Sequence, residues 1–522
     1  MSRSTGAVAA GDRQTAEAGA RILRAGGNAV DAVCAAAFAA FVVETPLCSP
    51  AGAGALLFGD VKHGFHLLDF FACAPGLGLE APPKLDFHVV DVDFGPTVQQ
   101  FHVGRGSVAV PGMLPGLLEA HRRAGRLPLA EIVAPAVSLA RDGYVLGPAV
   151  QYVIDILRPI VSLTPGMRTI FGAEHGSPTP GSRLSNPALA DFFAQLALDG
   201  DDLIHGPLFD ALLHEFGPAR GGLITRRDLA SYRPELRRPL EVAAGDFVVL
   251  TNPPPSSGGA LVGLGLQLAR GLVPEGPAAH GCGRHVLEIA NVLRTLSEVR
   301  VKGYDERLRE PDAARRLFDP DALAELRATH QQLRVEHDLG STTHISVLDS
   351  EGEAASLTMS NGEGSGHALE AFGIAVNNFL GEEDINPGGF HRWAPGTRMT
   401  TMMAPTVVLR EGRPVLVLGS GGSNRIRSAI LQVLLARIGS KLPLPEAVRA
   451  PRLHVEGERL WYEAAGLSVE AEAALRQSWP GATRFDAPSM FFGGVHAVGF
   501  DDDALIGIGD HRRGGEVCVV HR

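Results

Sequence analysis

Two hydroxyl-bearing residues eighteen positions apart, Thr342 and Ser360, are where chemistry could begin in this 522-residue chain. Thr342 opens a run in which Thr342, His344, Ser346 and Leu348 alternate with Thr343, Ile345 and Val347, the period of a strand. Asp349-Ser350-Glu351-Gly352 is a turn signal, and Ala354 to Thr358 reads as the returning strand. A three-residue loop, Ser350-Glu351-Gly352, would put Gly352 where a positive φ is needed and set Asp349 against Glu353. In that register Thr342 lies opposite Ser360, so two hydroxyls meet on one face at the open end of the hairpin. A two-residue loop would slip the pairing by one and turn Ser360 to the other face. A threonine at the start of a strand is ordinary taken alone, because β-branched residues favour strands. Further on, Gly419-Ser420-Gly421-Gly422-Ser423 follows an apolar strand and precedes a helix starting near Arg425. Bare N–H groups at a helix N-terminus can hold a developing oxyanion, although the same residues also suit a plain strand-to-helix turn. His344 shares the Thr342 face and reads as a structural histidine.

The elements that must carry these residues are legible in outline. Residues 14–43 read as two helices split at Gly26-Gly27, the second of which, Ala29 to Val43, is apolar on every side and therefore buried on every side. Ala51-Gly52-Ala53-Gly54-Ala55 leads into Leu56-Leu57-Phe58, a core strand. Helical patterning after Val110-Pro111-Gly112 puts Leu114, Leu117, Leu118 and His121 on one face, and residues 188–229 carry further surface helices, with Thr225 capping the last. Strands are expected at Val248–Thr251, Thr406–Leu409, Val415–Leu418, Ala497–Phe500 and Leu505–Gly507. The stretch 284–336 reads as a charged, solvated helical layer and Ile426–Ile438 as an amphipathic helix. Strands between layers of helix make a layered α/β or α+β body.

Composition narrows the function. A net charge of −11 and only isolated Arg pairs, such as Arg122-Arg123 and Arg512-Arg513, argue against nucleic acid as a partner. The five cysteines are scattered, with no CxxC pair, so neither a disulfide framework nor a zinc site is indicated, and no cofactor is expected. Met1 to Arg13 lacks the charged-then-apolar pattern of a signal peptide, and Ala29–Val43 is too short to span a bilayer. A cytoplasmic protein with no membrane partner is the expectation.

The order of motifs resembles the γ-glutamyltranspeptidase family. Thr342-Thr343-His344-Ile345-Ser346 resembles its Thr-Thr/Ser-His-x-Ser signature. Colinear with it run Gly26-Gly-Asn-Ala-Val-Asp31, Val110-Pro-Gly112, Leu139-Ala-Arg-Asp-Gly143, Gly221-Gly-Leu-Ile-Thr225, Asp228-Leu-Ala-Ser-Tyr232, Pro254-Pro-Ser-Ser-Gly-Gly259, Asn377-Asn378, Ala404-Pro-Thr406, Gly419-Ser-Gly-Gly422 and Ala447-x-x-x-Pro-Arg452. The resemblance implies an α+β, four-layer αββα fold of the N-terminal-nucleophile hydrolases. It implies self-cleavage between Ser341 and Thr342 into segments 1–341 and 342–522 that stay together as a heterodimer and can assemble further. Thr342 would then be the nucleophile of a hydrolase or acyltransferase acting on a small-molecule amide such as a γ-glutamyl compound, with water or an amino acid as acceptor. It also implies Ser360 as the second hydroxyl and Asn361 as the residue binding the substrate amine. By the same resemblance Gly421 and Gly422 would supply the oxyanion N–H groups; an ungapped match would shift these to Gly422 and Ser423.

The departures bear on substrate. Where the family carries an arginine that clamps the γ-glutamyl carboxylate, Asp69-Phe70-Phe71-Ala72-Cys73-Ala74-Pro75 has Phe71. The paired serines that assist it match Thr400-Thr401, the family's Gln after Asn-Asn is Phe379, and an acidic residue remains at Glu382. Arg105 and Arg398 could stand in for the clamp but read better as structural residues. Three functions remain: a γ-glutamyl hydrolase or transferase, a cephalosporin-acylase-like amidase with another pocket, and an unprocessed homologue that only binds.

Overall fold

The computed structural model describes residues 4–93, 98–301, 303–328 and 341–521. Two sheets lie face to face. The first has seven strands in the order Glu516–His521, Ser4–Ala10, Thr343–Asp349, Ala354–Ser360, Ala53–Asp60, Gly64–Phe70, Glu235–Arg237. The second has six, in the order Ala504–Ile508, Gly494–Asp501, Arg413–Gly421, Thr406–Arg410, Phe247–Thr251, Leu240–Ala244. Helices Arg13–Arg24 and Ala29–Val43 cover the outer face of the first sheet; Ser257–Ala269 and Arg425–Leu434 cover the second, and Gly283–Val301 packs on Ser257–Ala269 outside it. The result is an αββα sandwich.

Each layer boundary has its own apolar core. Ile345, Val347 and Leu357 face the helix Ala29–Val43, whose residues are all buried, as its all-round apolar composition requires. Asn28 and Asp31 close a capping box at its start. Between the sheets Leu57, Leu348, Val417 and Val498 interdigitate. Hydroxyls stitch the sheets there as well: Ser346 Oγ donates to the His496 carbonyl (3.0 Å) and Ser356 Oγ to that of Leu418 (3.0 Å). Buried hydroxyls need such partners, because stripping water from them without replacement costs about 1–3 kcal/mol each.

The hairpin adopts the three-residue loop. Gly352 has φ +87°, Thr343 pairs with Met359 and Leu348 with Ala354, which sets Thr342 opposite Ser360. His344 is a structural residue, as expected. Its ring is fully buried between the sheets, bonded to Thr358 Oγ1 (2.9 Å) and Ser346 Oγ (3.0 Å), and burial holds it well below the usual imidazole range.

One expectation fails. The helix Gly283–Val301 is not a solvated layer, since Val286, Ile289, Leu293 and Leu296 enter the second core; residues 329–336 of the expected layer lie outside the described residues. The helix Arg425–Leu434 is buried on both faces, and its polar side meets a further layer in which Arg427 pairs with Glu456 at 2.6 Å. Its amphipathic pattern marks charge pairing inside the protein rather than exposure.

Candidate active site

The strand Thr343–Asp349 begins one residue after Ser341-Thr342, so both are fixed by the first rung of the ladder. The Ser360 hydroxyl donates to the Ser341 carbonyl oxygen at 2.6 Å, and the Gly362 N–H donates to Ser360 Oγ at 3.0 Å. That second bond takes a lone pair of Ser360 and leaves its proton aimed at the Ser341 carbonyl. The Ser341 N–H donates to Glu363 Oε1 at 3.2 Å. Asn378 Oδ1 accepts the N–H groups of Glu363 (2.9 Å) and Gly364 (3.2 Å), which fixes the turn presenting that carboxylate.

Behind Thr342, its carbonyl accepts from Arg513 Nη1 at 3.3 Å. The backbone of Gly421 passes so close that a Cβ there would lie 2.0 Å from the same oxygen, so only glycine fits. Arg513 is itself buried, and desolvation lowers it to about 10. Its neighbours hold the C-terminal turn in place: Arg512 pairs with Glu463 (2.5 Å), and Arg452 with Asp510 (2.6 Å), all inside the protein. Beside Thr342, Thr343 Oγ1 donates to Glu44 Oε2 at 2.5 Å and Thr15 Oγ1 to Oε1 at 2.7 Å. Burial, only partly offset by these hydroxyls, pushes the Glu44 carboxyl up to about 7.

A cleft opens at the hairpin end and is lined by Thr342 and Ser360. Glu382 and Thr401, both singled out in the sequence, line it too. Phe71 and Phe379 form one wall, with ring centroids 5.1 Å apart, and Ile385, Met402, Met403 and Ile426 extend the apolar surface. Asp384 adds a second carboxylate; no Arg or Lys is among the described lining residues. A larger cavity, near Leu114 and Tyr232, is lined by neither Thr342 nor Ser360.

Several sequence candidates sit elsewhere. Asn361 does not line the cavity: its Oδ1 accepts from Ser49 Oγ at 2.9 Å inside the protein. Thr400 turns away from it to Ser257 Oγ (2.9 Å) and the Pro255 carbonyl (3.2 Å). Of the glycine-rich turn, Ser423 lines the cavity rather than Gly421 or Gly422. Ser423 holds a left-handed φ of +48°, and its hydroxyl is bonded to Asp384. The two arginines considered as carboxylate clamps are structural. Arg105 pairs with Asp86 (3.0 Å) and Glu215 (2.6 Å). Arg398 holds the Phe71 carbonyl (2.6 Å) and the Tyr232 hydroxyl (2.7 Å). Glu363, Asp384 and Arg513 were not singled out in the sequence. Only Glu363 carries a local signal, an acidic residue between Gly362 and Gly364 just after Ser360. Among the described residues no group of three or more His, Cys, Asp or Glu is placed to hold a metal ion.

Residues 15–520 match the model of the family described as gamma-glutamyltranspeptidase. The chain belongs to that family. It is 33% identical over 551 residues to the glutathione hydrolase proenzyme of Pseudomonas aeruginosa, covering 99% of this chain and 94% of the relative. It is 31% identical over 518 residues to the acylase ACY 1 proenzyme of Pseudomonas sp. strain SE83, covering 97% and 91%. The fold is that of a cephalosporin acylase from Bacillus halodurans, with a TM-score of 0.79 over 99% of this chain and 96% of that one at 23% identity. Within the γ-glutamyltranspeptidase family this chain is thus an enzyme of the amidohydrolase and acyltransferase kind.

Proposed function

We propose that this chain cuts its own Ser341–Thr342 bond and that the freed Thr342 hydrolyses a small-molecule amide through an acyl-enzyme. The observation that supports this most directly is the Ser360 hydroxyl 2.6 Å from the Ser341 carbonyl oxygen, one step beyond the Thr343–Met359 pair. In maturation Thr342 Oγ attacks the Ser341 carbonyl carbon. The C–N bond breaks, the hydroxyl proton goes to the Thr342 nitrogen, and water hydrolyses the resulting ester. Ser360 supports the oxyanion of this step.

Scission creates the base for turnover. A threonine hydroxyl is a weak nucleophile without one, and a free α-amine titrates at roughly 7.7–8.0. The Arg513 guanidinium on the Thr342 carbonyl disfavours a second positive charge next to it and so favours the neutral amine. In turnover the amine accepts the Oγ proton and passes it to the leaving amine. N–H groups of the Gly421-Gly422-Ser423 turn take the oxyanion.

The pocket favours an acylase-like specificity over a γ-glutamyl one. Phe71 and Phe379 stand where a carboxylate would be clamped, and Glu382 and Asp384 repel an anion. A carboxylate placed there lacks charge compensation. Denaturing gels test maturation: fragments 1–341 and 342–522 are expected from the native sequence and one intact band from Thr342→Ala. A native preparation that is active and yet uncut overturns the proposal. Cleavage of γ-glutamyl anilides in preference to all other acyl anilides would overturn the specificity.

A further inference from the structure

The turn Gly421-Gly422-Ser423 leads into the helix Arg425–Leu434, and two features there call for support from outside it. Ser423 holds its left-handed φ of +48°, a conformation that a serine keeps only where its surroundings impose it. Asn424, at the N-cap of the helix, makes no capping bond with its side chain, although asparagine at that position commonly accepts one of the free N–H groups. Its Oδ1 accepts instead from Nη1 of Arg300, near the end of the helix Gly283–Val301.

Arg300 closes a ring of contacts. Its Nη2 donates to the Asp384 carbonyl, and the Asp384 carboxylate accepts from the hydroxyl of Ser423, the neighbour of Asn424 in the chain. One guanidinium thus bridges the turn to the segment that carries Asp384 into the cleft. Its Nε lies 3.9 Å from the carboxylate of Asp305, which accepts from Ser257 Oγ. Ser257 in turn meets Thr400 Oγ1 at 2.9 Å, one residue before Thr401 in the cleft wall. Arg300 itself is not among the described lining residues, and its side chain is 11% exposed. A planar fork donates in two fixed directions at once, which the ammonium of a lysine does not reproduce.

We infer, building on the function proposed above, that Arg300 is a positioning residue for turnover, fixing the Gly422-Ser423 turn where the acyl oxyanion forms, and that scission of the Ser341–Thr342 bond does not need it. The two reactions draw on different donors. The scission oxyanion lies against the Ser360 hydroxyl, which the Gly362 N–H fixes from within the hairpin end. The bonds of Arg300 go to Asn424 and Asp384, on the side of the turn. Without Arg300 the turn loses the contact that replaces its missing cap, and its N–H groups no longer stand ready for the charge that develops in the transition state. The covalent steps are those given above; Arg300 neither gives nor takes a proton in them.

The test follows scission and turnover side by side in Arg300→Met, Arg300→Lys, Asn424→Ala and the double variant Arg300→Met with Asn424→Ala. Scission is timed on denaturing gels. Turnover of 4-nitrophenyl propionate is measured on the processed protein, with the rate of Thr342→Ala subtracted as background. Arg300→Met should lose about 100-fold in kcat, the cost of a misplaced reacting group, with KM and the rate of scission each within about threefold of native. Arg300→Lys should lose about tenfold, because a point charge reaches one of the two acceptors and not both. The double variant should turn over within about threefold of Arg300→Met, since both changes break the same contact. Native kcat in folded Arg300→Met would overturn the inference. So would equal slowing of scission and turnover, the mark of general destabilisation, or losses that multiply in the double variant. Where Arg300→Met fails to fold, Asn424→Ala decides alone: kcat about tenfold down with native scission supports the ring, and native kcat refutes it. A native sequence that cuts itself but hydrolyses no ester, or that is active while uncut, sinks the function on which this inference rests.

Discussion

Replacing Ser360 by alanine removes a side-chain hydroxyl bonded to the carbonyl that must become an oxyanion during maturation. The geometry is short and the site is buried, so the hydroxyl acts in a low-dielectric setting where a single donor is worth about 3–4 kcal/mol of transition-state stabilisation. Maturation should therefore slow by roughly 100- to 1000-fold in Ser360→Ala. The Gly362 N–H also loses its acceptor, at a folding cost of about 1 kcal/mol, too little to unfold a chain of this size. Ser360→Thr keeps the hydroxyl and should mature within about tenfold of the native rate. The assay is a time course on denaturing gels from freshly purified protein, with far-ultraviolet circular dichroism to show that both variants are folded. Native-rate scission in folded Ser360→Ala would refute the reasoning, because the bond would then be cleaving without the donor assigned to it.

Other perturbations probe other parts. Phe71→Arg places a cation on the cavity wall and should raise the γ-glutamyl to neutral-acyl ratio of kcat/KM by about tenfold, measured with paired anilides. Glu44 has an ordinary value of 4.5 and is raised to about 7 in the folded protein, so the folded state binds more protons between those values. Stability should fall as pH climbs from about 4.5 to about 7, and thermal melts across that window should show a shallower decline in Glu44→Gln. Arg512→Met leaves Glu463 buried without its closest cation and should cost about 3–5 kcal/mol, read as a lowered Tm.

Local rules carried the sequence reading a long way. The hairpin register followed from one glycine, since only a three-residue loop puts Gly352 at a positive φ. The buried helix Ala29–Val43 followed from the absence of any polar face. What stayed hidden depends on long-range placement. Phe71 and Phe379 are far apart in the chain, and no local pattern says their rings meet over the same cavity. Thr400 and Thr401 are neighbours, yet one turns to Ser257 and the other to the cavity, a choice made by the segment packed against them. Asn361 was matched to a substrate contact by resemblance alone, and no local pattern says that Ser49, more than 300 residues earlier, donates to its side chain. The burial of the Arg425–Leu434 helix was hidden for a similar reason: charged residues on one face can meet partners as readily as water.

The paired strands Thr343–Asp349 and Ala354–Ser360 tie the reactive end of the molecule to a small loop at the other. With about 3.4 Å of rise per residue, that loop lies roughly 25 Å from Thr342. A slip of one rung at Gly352 would travel the whole ladder and leave the two hydroxyls on opposite faces. Distant residues that never meet a substrate thus act as the molecule's alignment gauge, and substitutions in Ser350-Glu351-Gly352 should silence the enzyme without unfolding it.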